Sequence, residues 1–61
     1  NDPRTYLRFA QIAKAETANQ EELKNYNLFL KYVDPNSIPS EELKQIRNRI
    51  KELESSNNET P

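Results

Sequence analysis

Apolar residues keep helical time along most of the chain. Leu43, Ile46, Ile50 and Leu53 fall at steps of three, four and three residues, which puts them on one stripe of an α-helix. Between them lie Lys44, Gln45, Arg47, Asn48, Arg49, Lys51 and Glu52, all residues that favour water. Upstream, Leu23, Tyr26, Leu30 and Val33 form a second stripe, and Leu28, Phe29 and Tyr32 widen it. A helix with two apolar faces sits between two neighbours, so this second helix is expected at the centre of the packing. Near the start, Tyr6, Phe9, Ala10 and Ala13 make the packed stripe of a first helix, flanked by Ile12 and Leu7. Ala10 and Ala13 are small enough to let a neighbouring helix approach closely. Alternation never persists long enough to suggest a strand. The pattern predicts an all-α unit: an antiparallel helix pair with a third helix packed on it.

The boundaries follow from capping and turn chemistry. Asn1-Asp2-Pro3 reads as a helix start, with Asp2 as N-cap and Pro3 at the first helical position. The first helix is expected to run to about Glu16, with Thr17-Ala18-Asn19 as the turn. Asn19 followed by Glu22 matches a capping box opening the second helix. That helix ends before Pro35, because the residue preceding a proline is pushed out of the α region. Ser40, or alternatively Pro39, opens the third helix, and Glu41 and Glu42 favour its positive end. This helix is expected to reach about Glu54. The organisation is therefore a three-helix unit over 1–54 and a flexible polar tail over 55–61, in which Asn58-Glu59-Thr60 forms a chance glycosylation tripeptide.

Composition narrows the function classes. The chain has 61 residues with no Cys, no His and no Gly, and a formal net charge of −1. At this length a single core supplies only a few kcal/mol unless disulfides or metals help, and the usual ligands for both are missing. Glycine-rich phosphate loops and nucleophile elbows need a backbone that this sequence lacks. The charge balance gives no overall attraction to nucleic acid or an anionic membrane. No apolar run approaches the ~18–20 residues needed to span a bilayer, and no secretory signal opens the chain. An enzyme is not expected. There is no His or Cys to act as base or nucleophile, and helix capping accounts for the adjacent carboxylates Glu21-Glu22 and Glu41-Glu42. No cofactor and no metal site is expected.

These residues resemble a tetratricopeptide repeat, a family that stacks antiparallel helix pairs with a period of about 34 residues. Tyr6, Phe9-Ala10 and Ala13 sit where the first helix of a repeat has its packing residues. Leu23, Tyr26, Phe29-Leu30 and Tyr32 follow where the second helix packs. Asp34-Pro35-Asn36 closes the unit like the family's Asp-Pro-Asn turn, after a one-residue insertion at Val33. Ser40-Glu41-Glu42-Leu43 through Ile46, Ile50 and Leu53 looks like the helix that caps the last repeat. The sequence departs from the pattern at Thr17, where a turn Gly is usual, and at Glu22 and Phe29, where smaller residues are typical.

The resemblance implies a protein–protein interaction or scaffolding module, part of a larger helical-repeat protein or assembly. It would need neighbouring repeats or a second subunit for stability. Its first helix would line a groove. There Arg4, Arg8, Gln11 and Ala15 lie four, three and four residues apart on one stripe, with Lys14 adjacent. Such a stripe can grip the carboxylates of a protein or peptide partner through charge-assisted hydrogen bonds. The bland alternative is that these are solvated charges on an exposed face. Leu28 and Tyr32 are the candidates for a surface that packs on another chain. A second reading is a helix-turn-helix DNA binder, since Lys44, Arg47, Asn48 and Lys51 share one face of the third helix. Against it stand Glu41, Glu42, Glu52 and Glu54 on the same helix, which would repel phosphates.

Overall fold

The computed structural model describes residues 2–58 of the chain. The described residues form three α-helices and one short 3₁₀ turn: α1 (Arg4–Ala15), α2 (Asn19–Tyr32), the turn Pro35–Ser37, and α3 (Ser40–Asn58). The fold is all-α, and α2 is the helix on which both α1 and α3 pack. The start of α1 meets the end of α2, where the Tyr6 and Tyr32 rings stack with centroids 5.8 Å apart and planes inclined by 24°. The pair is therefore antiparallel, as the short connection requires.

Local chemistry explains each boundary. Pro3 adopts helical backbone angles, and the Arg4 N–H donates to Asp2 Oδ1 at 3.0 Å. Asp2 thus does the work of an N-cap, satisfying a donor that the helix leaves unpaired; Asn1 lies outside the described residues. At the other end of α1 the Ala18 N–H donates to the Ala13 carbonyl at 2.8 Å, and the Thr17 N–H to the Lys14 carbonyl at 3.1 Å. This bond pair is a Schellman motif, which sets residue 17 in the left-handed region. Thr17 accordingly has φ 55, a conformation disfavoured for a β-branched residue.

Val33 and Asp34 leave α2 in extended conformation ahead of Pro35. Asp34 then holds the turn together. Its Oδ1 accepts from the Asn36 N–H at 3.0 Å, and its carbonyl accepts from the Ser37 N–H and hydroxyl at 2.9 and 2.7 Å. In α3 the first helical bond runs from the Leu43 N–H to the Pro39 carbonyl, so Ser40 lies within the helix rather than capping it. The helix also continues to Asn58, past the end expected near Glu54. The remainder of the polar tail and of the Asn58-Glu59-Thr60 tripeptide lies outside the described residues.

The core is Ala10 from α1, Tyr26 and Phe29 from α2, and Ile46, Ile50 and Leu53 from α3, with Tyr6, Leu7, Leu23, Leu30, Val33 and Ile38 packed around it. Ile46, Ile50 and Leu53 of the third stripe fall where the apolar spacing put them, whereas Leu43, expected in the same stripe, is half-buried and lies outside the core, on the outer side of α3 with Lys44 and Arg47. Two further features differ. Phe9, expected in the packed stripe of α1, is 48% exposed, and Ile12 is 49% exposed. The contact line of α1 is Tyr6–Ala10–Ala13, one turn's step apart, and it turns Leu7 inward and Phe9 outward.

The second difference concerns Glu22, which makes no cap bond to its own helix and is fully buried. It falls in step with Tyr26 and Phe29, at i+4 and i+7, so the deepest line of α2 is Glu22–Tyr26–Phe29 rather than Leu23–Tyr26–Leu30. A buried carboxylate needs a cation, and Arg49 of α3 supplies it. Arg49 Nε donates to Glu22 Oε2 at 2.7 Å and Nη2 donates to Oε1 at 3.0 Å. This two-pronged geometry is the strongest form of such a pair. Glu52 lies 3.5 Å from Arg49 Nη1 on the outer side.

Two expectations follow. Thr17→Gly relieves the left-handed strain and raises stability by about 1 kcal/mol, or about 4–8 °C in Tm, as measured by thermal denaturation. Arg49→Leu strands a buried carboxylate at a cost of about 3–5 kcal/mol, which consumes the stability of so small a unit and abolishes cooperative melting. Glu22→Leu/Arg49→Leu restores melting to at least the parent level, because no buried charge then remains. A double variant no more stable than Arg49→Leu alone would remove the pair from this role.

Candidate interaction groove

The two helices that pack on α2 leave a groove between them. At its upper end Arg4, Leu7, Arg8 and Gln11 of α1 face Ser37, Ile38, Pro39 and Glu42 across a depression of ≈350 Å³ floored by Phe29. It continues into a second depression of ≈200 Å³, where Leu7, Gln11 and Lys14 face Glu42, Gln45, Ile46 and Arg49, with Tyr26 between. Residue numbers rise together along both walls, so α1 and α3 run in the same direction and both oppose α2.

Each of these side chains is positioned by the core beneath it. Leu7 is half-buried because α1 turns its Tyr6–Ala10–Ala13 line onto α2, leaving residue 7 on the α3 side. Phe29 is fully buried in the core beneath the first depression. Ile38 is brought in by the 3₁₀ turn that Asp34 organises. Arg4, Arg8, Gln11 and Lys14 are exposed along the α1 wall, spaced to share one side of the helix. No ion pair involves Arg4, Arg8 or Lys14 among the described residues. Their charges are therefore available to a ligand, with Glu42 the facing carboxylate.

Leu28 and Tyr32, the other two candidates, do not join the groove. Leu28 is half-buried, while Tyr32 is 56% exposed with its ring stacked on Tyr6. The Lys31 Nζ sits 5.4 Å from the centre of the Tyr32 ring, a cation–π distance. The structure thus brings four of the six candidates together and separates the remaining two. Lys44, Arg47, Asn48 and Lys51 share a shallow depression with Ser40 and Leu43 on the outer side of α3. Glu41, Glu52 and Glu54 are exposed on the same helix.

Spacing along α1 gave no sight of the opposing wall. Ile38, Pro39 and Glu42 become groove residues only once the connection folds back. The Glu22–Arg49 pair did carry a signal. Glu22 keeps step with Tyr26 and Phe29, and Arg49 lies three residues after Ile46 and four before Leu53, so both charges occupy core-facing phases.

Burial raises the Tyr26 phenol above its usual range, the Glu22 carboxylate raises it further, and Arg49 offsets part of the rise. Arg49 is itself raised, chiefly by its hydrogen bond to Glu22, and stays charged at every ordinary pH. Among the described residues no helix is long and apolar enough to cross a membrane. No family model matches the chain, and no curated protein or solved structure matches it at a significant level.

The Tyr26 shift sets a pH dependence. The folded state holds the phenolic proton more tightly than the unfolded state. Its contribution is therefore complete below about pH 10 and is lost as pH rises through the raised folded value. The fall in Tm between about pH 8 and about pH 11 is expected to be shallower in Tyr26→Phe than in the parent. Parallel curves for the two proteins would contradict it.

Proposed function

We propose that the chain is a non-enzymatic protein–protein interaction module whose α1–α3 groove binds an extended segment of another protein carrying acidic groups. The observation that carries this reading is the groove's build. Arg4, Arg8 and Lys14, in no ion pair among the described residues, stand along one wall with Gln11 between them, beside the half-buried apolar side chains of Leu7 and Ile38, with Phe29 fully buried beneath. Apolar burial supplies affinity in such a site, and the rim cations supply orientation and partner choice.

The arrangement also supports reading the chain as the last repeat of a tetratricopeptide array with its capping helix. An antiparallel pair followed by a third helix running alongside the first is the geometry expected of such a unit. On this reading the module works within a larger helical-repeat protein or assembly and acts passively, as a rigid surface. The duplex-DNA reading has less support, because exposed Glu41, Glu52 and Glu54 accompany the Lys44–Arg47–Lys51 stripe.

The test is a peptide-library selection against the full chain, followed by affinity measurement on the selected sequences. Enrichment of Asp and Glu is expected. Arg4→Glu with Arg8→Glu should weaken binding by at least about tenfold while helix content holds, and added salt should weaken the parent's binding. Unchanged affinity in the double variant would remove the basic wall from the site.

A further inference from the structure

Phe9, Ile12 and Tyr32 are the large hydrophobic residues left exposed among the described residues. Phe9 and Ile12 belong to α1 but line neither part of the groove. Phe9 lies instead, with Asp2, Arg4, Thr5 and Arg8, around a depression of ≈440 Å³ on another side of the helix. Thr5, Phe9, Ile12 and Glu16 follow one another at steps of four, three and four, so they form a single stripe. Its middle is apolar, its N-terminal end is flanked by arginines, and its C-terminal end is acidic.

We propose that this face of α1 binds a second copy of the chain, with the two α1 helices antiparallel about a two-fold axis. The stripe is self-complementary in that arrangement. An axis passing between Ala10 and Gln11 sets Phe9 against Ile12 of the second copy, and by symmetry Ile12 against its Phe9. The same register sets Glu16 of the second copy opposite Thr5, over the depression flanked by Arg4 and Arg8. Glu16 has no ion pair among the described residues, and neither arginine has one. Asp2 is the one carboxylate around that depression, and its Oδ1 is engaged by the Arg4 N–H at 3.0 Å. Two guanidinium groups outweigh it. A parallel pairing would set Glu16 beside Glu16 and Arg8 beside Arg8 and would align the two helix dipoles, all unfavourable. The charge pattern therefore selects a copy of this chain, and selects its direction. An interface built on one helix is small, so the dimer forms reversibly and its population depends on concentration.

Sedimentation equilibrium of the full chain, from micromolar to millimolar concentration, tests this. A monomer–dimer equilibrium is expected. Phe9→Glu should raise the dissociation constant by on the order of tenfold or more with helix content retained, since that side chain lies outside the core. Arg8→Glu and Glu16→Arg should each weaken self-association. Their equimolar mixture should associate more tightly than either alone, because both symmetric sites then pair opposite charges. A strict monomer throughout the range overturns the proposal. So does a dimer indifferent to Phe9→Glu, or a mixture no tighter than its components.

Discussion

A carboxylate with no access to water governs how this molecule is put together. Glu22 sits on the deepest line of the central helix, and it tolerates that position because Arg49 reaches it with two hydrogen bonds from the third helix. The pair is weak evidence of net stability, since desolvation offsets much of the attraction. What it imposes is register. Sliding α3 by one turn in either direction would bring Gln45 or Leu53 toward Glu22 in place of Arg49. Either shift would strand a buried charge, at a cost comparable to the whole stability of a chain this short. The apolar stripe of α3, with Ile46, Ile50 and Leu53 at near-equal spacing, could by itself accommodate such a slip.

Fixing α3 in this register shapes the space between α1 and α3. Because α1 and α3 both oppose α2, they run side by side, and the space between them becomes the groove. The 3₁₀ turn held by Asp34 returns Ile38 and Pro39 to its upper end, and Phe29 floors it. Arg4 and Arg8 stand on the ridge of α1 between this groove and the outer depression beside Phe9, so one helix presents two different surfaces. The groove is the proposed site for an extended acidic segment, and the stripe of Phe9 and Ile12 the proposed site for a second copy of the chain.

Much of the fold could be read from residue spacing, and the exceptions have physical causes. Helix number, the central place of α2 and the buried stripe of Ile46, Ile50 and Leu53 followed from apolar periodicity alone, although Leu43, in step with them, turns to the outer side of α3. Asp2 and Pro35 marked their boundaries through capping and backbone restriction. Thr17 was legible as a departure from a glycine position, and its positive φ is the consequence. Periodicity failed where it equated polarity with exposure. By spacing alone Glu22 fits a capping box and Arg49 the solvent face, because burial of either is tolerable only with the other as partner. Phe9 fits the core stripe by spacing yet is exposed, because neighbouring apolar residues do not fix the rotation of a helix about its axis to better than about one residue. Four of the six candidate partner-binding residues came together in the groove because they share a helix side, which spacing does report. The facing wall arose from the fold of the connection, which spacing does not report.

The most direct test of the account is the NMR signature of the Arg49 guanidinium in the full chain at neutral pH. A guanidinium held by a buried carboxylate should give an Nε–H resonance shifted downfield, protected from exchange with water and showing contacts to the Glu22 side chain. Arg4 and Arg8, without such partners, should exchange fast. An Arg49 resonance indistinguishable from theirs would mean that α3 is not locked to α2 by this pair, and the groove that depends on that register would lose its basis.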